Sequence, residues 1–206
     1  MDSEAIVHIV EDDEAHQSAI CLIVESVGLK TRVYGSALQF LEEFDFEAAD
    51  GPQCLVTDVR LPGMSGLELQ DTLIQQKISL PTVVISGHAD VPIAVQAVKK
   101  GAIDFIEKPF RQQALLDAIQ AALAQSRDLM KTEQSHSLYQ SRLAGLTARQ
   151  KEVMALMVDG KPNKIIADEL GLSVKTVEQH RALVMKNMGA ASFADLVHMA
   201  VENGDF

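Results

Sequence analysis

The sequence predicts two modules in tandem, a parallel α/β sheet covered by helices and then a small all-α bundle. Short apolar runs rich in β-branched residues alternate with amphipathic helical patterns through the first 125 residues, which is typical of a parallel sheet with helices on both faces. Residues 146–203 have helical patterns and no convincing strand. The net charge also differs, at −11 for residues 1–125 and 0 for residues 126–206.

Five strand patterns and five helix patterns make up the first module. The strand patterns are AIVHIV (5–10), KTRVY (30–34), CLVT (54–57), PTVVIS (81–86) and IDFIEK (103–108). The helices are predicted over residues 14–28, 36–44, 65–76, 91–102 and 111–124. Five successive β–α units predict an open, flavodoxin-like (βα)5 fold, in which ligands bind beyond the carboxyl ends of the strands.

The remainder of the chain divides into a linker and four helices. Residues 125–141 lose the apolar pattern but contain no Pro or Gly, so they can continue the preceding helix. In the last module, Thr147 and Gln150 form a capping box, and Ser173 and Ser192 open later helices. The predicted domains are therefore residues 1–124, a helical linker over 125–141, and an all-α domain over 142–206.

Composition excludes several classes of protein. Cys21 and Cys54 lie far apart without CxxC spacing, which favours reduced core residues over a metal or redox centre. The N-terminal MDSEA has no basic segment, so a signal peptide is not expected. No apolar run approaches the roughly 20 residues of a membrane helix. The sequence predicts a cytoplasmic protein.

Polar side chains follow four of the five strand patterns. Because the carboxyl ends of parallel strands meet at one edge of such a sheet, we expect these side chains to converge there. They are Glu11, Asp12 and Asp13 after the first strand, Asp58 after the third, Ser86 at the end of the fourth and Lys108 at the end of the fifth.

The chemistry of this set suits phosphoryl transfer. Carboxylate oxygens without His or Cys favour Mg²⁺. Asp58 is the candidate nucleophile, since a carboxylate can form an aspartyl phosphate, while Lys108 and Ser86 can bind phosphoryl oxygens. Polar strand ends can also merely solvate a sheet edge, but four ends with complementary chemistry favour a binding site.

The motifs VEDDE, VTDVRLPGMSG, VVISGHAD and DFIEKPF together resemble the receiver domain of two-component response regulators, over residues 5–122. The roles that the resemblance implies are phosphoacceptor for Asp58, magnesium ligation for Glu11, Asp12, Asp58 and the main-chain carbonyl of Arg60, and phosphate contact or switching for Ser86, Lys108 and Phe105. Glu11 stands where Asp is commoner in that family, and Phe105 stands where Tyr is commoner.

The segment NKIIADELGLSVKTVEQHRALVMKNM has the pattern of a helix, a tight turn and a second helix. The apolar residues predicted to pack this pair are Ile165, Ile166, Leu170, Leu172, Val174, Val177 and Val184. A net charge of +3 over residues 142–188 and a polar second helix favour insertion into the DNA major groove. The candidate DNA contacts are Asn163, Lys164, Lys175, Thr176, Gln179, His180, Arg181 and Lys186. Residues 143–203 resemble the LuxR-type helix-turn-helix.

The combination resembles FixJ-type regulators of the NarL/FixJ family. It implies a DNA-binding regulator, not an enzyme beyond self-phosphorylation and self-dephosphorylation at Asp58. The implied partners are a sensor histidine kinase, double-stranded DNA and a second copy of the chain, bound through about residues 91–111. Two alternatives stay open. One is an aspartyl-phosphate phosphatase, although Arg60 stands where such enzymes keep a second acid. The other is a phosphorylation-independent DNA binder.

Overall fold

Five parallel strands form one sheet in the order β2-β1-β3-β4-β5. The computed structural model describes residues 5–45, 51–87 and 91–205. The MDSE of the acidic N-terminus and His88 to Asp90 of the GHAD motif lie outside the described residues. The chain divides into two units, residues 1–130 and 131–206, and each is described by itself.

The strands follow the predicted pattern closely. They are β1 (Ile6–Val10), β2 (Lys30–Tyr34), β3 (Gln53–Asp58), β4 (Thr82–Ser86) and β5 (Asp104–Glu107). Val10 lies beside Thr57, Asp58 beside Ile85 and Ser86 beside Glu107, so the carboxyl ends of four strands are aligned. This arrangement confirms the predicted flavodoxin-like fold.

The helices of the first unit bury the two faces of the sheet. They are α1 (Glu14–Glu25), α2 (Ala37–Glu43), α3 (Gly66–Gln75), α4 (Val91–Lys99) and α5 (Gln112–Ala144). Alternate residues of β1 serve opposite faces, because side chains along a strand alternate in direction. Ile9 packs in one core with Leu115 and Ile119, whereas Val10 packs in another with Phe40 and Leu69.

His8 is a buried core residue with both ring nitrogens paired. Nε2 lies 2.9 Å from Oε1 of Gln53, and Nδ1 lies 3.0 Å from the Tyr34 hydroxyl. Because Oε1 can only accept, Nε2 donates, and Nδ1 of a neutral ring then accepts from Tyr34. Burial, the largest influence, lowers the pKa of His8 to about 4.

Helix α5 runs without interruption through the predicted linker. Its first half packs on the sheet through Leu115 and Leu123. Ser126 still contacts the first unit, since its hydroxyl oxygen accepts from the backbone N–H of Gln53 at 2.9 Å. Its last turns belong to the second unit, where Tyr139 is buried.

In the part that the structure describes, the second unit consists of helices joined by short turns. After α5 come α6 (Ala148–Val158), α7 (Asn163–Leu170), α8 (Val174–Met188) and α9 (Phe193–Glu202). Thr147 and Gln150 form the predicted capping box. Gly171 ends α7 with φ 64°, the left-handed conformation that glycine adopts without strain.

Two residues of the predicted helix-turn-helix core are not buried. Ile166, Val177 and Val184 pack in the core as predicted, but Ile165 is 43% exposed and Val174 is 42% exposed. The prediction was wrong for these two because Ile165 lies next to the core-facing Ile166 on a helix, and Val174 is the first residue of α8, before the core face begins.

No helix within the described ranges is long and apolar enough to cross a membrane.

Candidate functional site

An ion cluster lies at the carboxyl edge of the sheet. Lys108, just after β5, places Nζ 2.6 Å from Oε2 of Glu11 and 2.5 Å from Oδ2 of Asp58. Glu11 follows β1 and Asp58 ends β3, so one ammonium joins three segments that are distant in the sequence. The Lys108 side chain is 12% exposed, and the two carboxylates are more buried still.

The two carboxylates keep Lys108 charged. Burial by itself would lower the pKa of Lys108, but the hydrogen bonds to Asp58 and Glu11 outweigh it and raise that pKa above its usual value. A protonated amine close to Asp58 is available to pair with further negative charge at this edge.

Hydrogen bonds fix the carboxylate of Asp58 and the backbone carbonyl of Glu11. The N–H of Arg60 donates to Oδ1 of Asp58 at 2.8 Å, while Oδ2 accepts from Lys108. The side-chain amide of Gln17 on α1 donates to the carbonyl oxygen of Glu11 at 2.5 Å. Asp58 is therefore held by one donor on each oxygen.

The three acids after β1 have different environments. Asp13 is the N-cap of α1, and its carboxylate accepts from the backbone N–H of His16 at 2.9 Å. That hydrogen bond, above all, lowers the pKa of Asp13. Asp12 is exposed and makes no hydrogen bond with another described residue. Because Asp13 caps α1, Glu11 and Asp12 are the two acids after β1 whose carboxylates remain candidates for metal binding.

Sequence reasoning missed two neighbours of Glu11. Nδ1 of His16 lies 3.5 Å from Oε1 of Glu11, and the Gln17 amide donates to the Glu11 carbonyl. The available signal was their position in the first turn of the helix that follows the acids.

The predicted switch residues end or line the neighbouring strands. Ser86 is the last residue of β4 and is buried, and its carbonyl accepts from the N–H of Lys108 at 2.7 Å. Phe105 lies beside Val84 in the sheet and packs half-buried against the cluster that contains Ala97 and Ala102. Phe105 thus connects β5 with the region of α4.

The oxygen donors at this edge fit a hard divalent cation. Receiver domains in general bind Mg²⁺ at their phosphorylation site. Here the carboxylates of Glu11 and Asp58 already bracket a cation, the Lys108 ammonium, which shows that positive charge is accommodated between them. Across residues 5–45, 51–87 and 91–205, no three His, Cys, Asp or Glu side chains lie close enough together to hold a metal ion by themselves.

The helix-turn-helix presents most of its predicted DNA contacts to solvent. Lys164, Lys175, Gln179 and Lys186 are exposed, and Asn163 and Thr176 are partly exposed. His180 and Arg181 are half-buried at the flanks of α8. Nδ1 of His180 is buried without a described partner, and the guanidinium of Arg181 lies 5.6 Å from the Phe193 ring centre.

Two arginines donate hydrogen bonds to carbonyls at the C-terminal ends of α7 and α8. The sequence did not indicate these contacts. Arg149 on α6 donates to the carbonyl of Leu170, at the end of α7. Arg142 on α5 donates to the carbonyl of Met188, at the end of α8, at 2.8 Å. Cations at helix C-termini satisfy carbonyls that have no partner within the helix.

Comparisons with known proteins agree with both units. Residues 7–120 match the family model of the response regulator receiver domain, and residues 144–200 match that of the bacterial regulatory proteins of the luxR family. The transcriptional regulatory protein FixJ of Azorhizobium caulinodans is 42% identical over 198 residues, which is 96% of this chain and 92% of FixJ.

Solved structures give the same result. The response regulator StyR has a TM-score of 0.85 and 36% identity over 97% of this chain and 100% of its own. Full-length FixJ from B. japonicum has a TM-score of 0.58 and 35% identity over all of both chains.

A receiver domain followed by a LuxR-type domain defines a two-component response regulator that binds DNA and regulates transcription. The length of the match with FixJ makes the assignment more specific. The chain belongs to the NarL/FixJ family of response regulators. The predicted family, domain types and class of function are thereby confirmed.

Proposed function

We propose that Asp58 accepts a phosphoryl group from a cognate sensor histidine kinase, and that this modification promotes dimerisation and promoter binding. The observation that carries the proposal is the contact set of the Asp58 carboxylate, with Arg60 N–H on one oxygen and the Lys108 ammonium on the other. A carboxylate oxygen of Asp58 attacks phosphorus as the bond from phosphorus to the donor group breaks.

Lys108 then exchanges partners. In the unmodified protein its ammonium pairs with Glu11 and Asp58. Formation of the aspartyl phosphate, a mixed anhydride, removes one negative charge from the Asp58 carboxylate and brings phosphoryl oxygens within reach of the amine. Lys108 pairs with these oxygens because they carry the larger negative charge.

Glu11, Asp12, Asp58 and the main-chain carbonyl of Arg60 would hold Mg²⁺. When bound, the ion neutralises charge on the phosphoryl oxygens during transfer. The long side chain of Glu11 also reaches Lys108, so Mg²⁺ and the Lys108 ammonium would compete for the same carboxylate.

Ser86 and Phe105 transmit the change to the surface. The Ser86 hydroxyl donates to the phosphoryl group and moves towards it, and Phe105 changes rotamer to follow. The surface of about residues 91–111 changes as a result. Three valines on one face of α4, Val91, Val95 and Val98, are exposed on this surface.

Burial of these valines favours a dimer, and a dimer places two copies of α8 on two DNA half-sites. Asn163 and Lys164 contact phosphates, and α8 contributes Lys175, Thr176, Gln179, His180, Arg181 and Lys186. Catalysis is limited to self-phosphorylation from small donors and self-dephosphorylation at Asp58. Arg60 stands two residues after Asp58, where the rival phosphatase interpretation requires an acid.

Sedimentation of the full chain with Mg²⁺, with and without beryllofluoride, tests the proposal. We expect sedimentation to show the wild type shifting from monomer to dimer, because beryllofluoride mimics the phosphoryl group. A DNA footprint should show fuller occupancy of genomic promoters under the same conditions. Asp58→Ala should not respond, whereas the surface control Asp117→Ala should respond like wild type. A wild type whose oligomeric state and DNA occupancy ignore beryllofluoride would instead support the phosphorylation-independent alternative.

A further inference from the structure

The outer face of α8 is a continuous exposed stripe. Lys175, Glu178, Gln179, Ala182 and Lys186 lie at spacings of 3, 4, 7 and 11 residues from the first, which is one side of a helix with about 3.6 residues per turn, and all five are exposed. The buried residues Val177, Val184 and Met188 lie on the opposite side. This stripe is the part of α8 that can enter a groove.

Glu178 is the acidic member of this stripe. Neighbouring lysines suit phosphates, but a carboxylate beside the DNA backbone is repelled. Two other exposed acids of this unit are paired, since Glu152 lies 2.6 Å from Arg149 and Glu169 lies 2.8 Å from Lys161. The Glu178 side chain makes no ion pair or hydrogen bond with a residue that the structure describes. The Glu178 carboxylate is therefore available to a DNA base.

One feature of DNA compensates an acid in the major groove. Cytosine presents its N4 amino group there, and a carboxylate accepts from it. Adenine N6 also donates, but it lies beside the N7 acceptor, which repels a carboxylate, and the phosphates and the guanine O6 and N7 atoms cannot donate. We infer that Glu178 selects a C·G base pair at one position of each half-site. The inference rests on the proposed insertion of α8 into the major groove.

The neighbours of Glu178 support this role. Gln179, the next residue, carries the amide that pairs with adenine N6 and N7. Glu178 and Gln179 together would therefore contact adjacent base pairs. Ala182 follows Glu178 by one turn and carries a single methyl group. Its small size lets the helix approach the base edges closely enough for the Glu178 carboxylate to reach them.

Selection from a random library of DNA duplexes tests the inference. The beryllofluoride-treated full chain would be used as wild type, Glu178→Gln, Glu178→Ala and the control Glu202→Gln, which removes the same charge from α9. We expect the wild type to enrich one C·G pair per half-site. Both Glu178 variants should lose that preference by about tenfold or more, with Gln shifting it towards A·T. Glu202→Gln should enrich the wild-type motif.

The outcomes separate base reading from simple repulsion. If Glu178 only repels phosphates, both variants bind every sequence more tightly and keep the wild-type motif, which would overturn the inference while DNA binding stands. A wild type that enriches no motif would overturn the inference together with the proposed groove insertion. Circular dichroism should show equal helicity for all four proteins, since Glu178 is exposed.

Discussion

At the scale of single residues, Lys108 is the group on which the receiver site depends. It compensates two carboxylates at once in a largely buried position. Removing one member of a buried ion pair leaves the partner charges uncompensated, which costs more than the pair itself contributes. Exposed pairs behave differently, because water screens the charges.

Lys108→Met should therefore lower the free energy of unfolding of the receiver by about 2–4 kcal/mol. The matched control is Lys100→Met. It removes an ammonium 2.6 Å from Asp71 in a more exposed pair and should cost less than about 1 kcal/mol. Urea unfolding of each variant measures the difference. Mg²⁺ should restore part of the loss for Lys108→Met, and equal costs for the two variants would contradict the account.

His8 gives a prediction about pH. Its folded-state pKa of about 4 lies below the ordinary 6.5, so the unfolded chain binds its proton first as pH falls. Stability from neutral His8 is fully present above pH 6.5 and is lost progressively down to about pH 4. The loss amounts to about 3 kcal/mol at 1.36 kcal/mol per unit of pKa.

Urea unfolding between pH 4.5 and 7.5 checks this dependence. His8→Gln cannot be protonated, so its stability should fall less steeply over this range. The exposed control His136→Gln should retain the wild-type slope. The explanation is wrong if His8→Gln and wild type show the same slope.

At the scale of secondary-structure elements, α3 approaches β3 so closely that its first residue must be glycine. A Cβ on Gly66 would lie 2.1 Å from the carbonyl oxygen of Asp58 and 2.8 Å from Oγ1 of Thr57. Gly66 also donates its N–H to Val59. The start of α3 therefore fixes the backbone that carries Asp58.

Gly66→Ala should destabilise the receiver and slow phosphorylation of Asp58, because the backbone of the phosphoacceptor has to move. The control Gly35→Ala places its Cβ no nearer than 3.6 Å to any atom, so it should behave like wild type. Phosphorylation by acetyl phosphate, followed by intact-protein mass spectrometry, compares the rates. Equal rates for Gly66→Ala and wild type would mean that this contact does not position the site.

Much of this organisation could be predicted from the sequence, because period and turn signals act locally. Alternating strand and helix patterns predicted the sheet, and polar residues at strand ends predicted the meeting of Glu11, Asp58 and Lys108. Contacts of long side chains leave no local signal. The hydrogen bonds of Arg142 and Arg149 to distant helix ends, and that of Gln17 to Glu11, were missed for this reason.

At the scale of the whole molecule, net charge differs between the receiver and the helix-turn-helix. The net charge of −11 resides in residues 1–125, while residues 142–188 carry +3. DNA therefore attracts the helix-turn-helix and repels the receiver. Helix α5 contributes to both units, with Leu115 in one core and Tyr139 in the other. We propose residues 1–124 and 142–206 as the functional domains, joined by residues 125–141 of this helix.

The most direct test of the central claim is to locate the modified residue. The full chain would be treated with acetyl phosphate and Mg²⁺, reduced with borohydride and analysed by peptide mass spectrometry. We predict that the wild type converts Asp58 to homoserine and that Lys108→Met does so far more slowly. Modification of another carboxylate, or none in wild-type protein, would contradict the account.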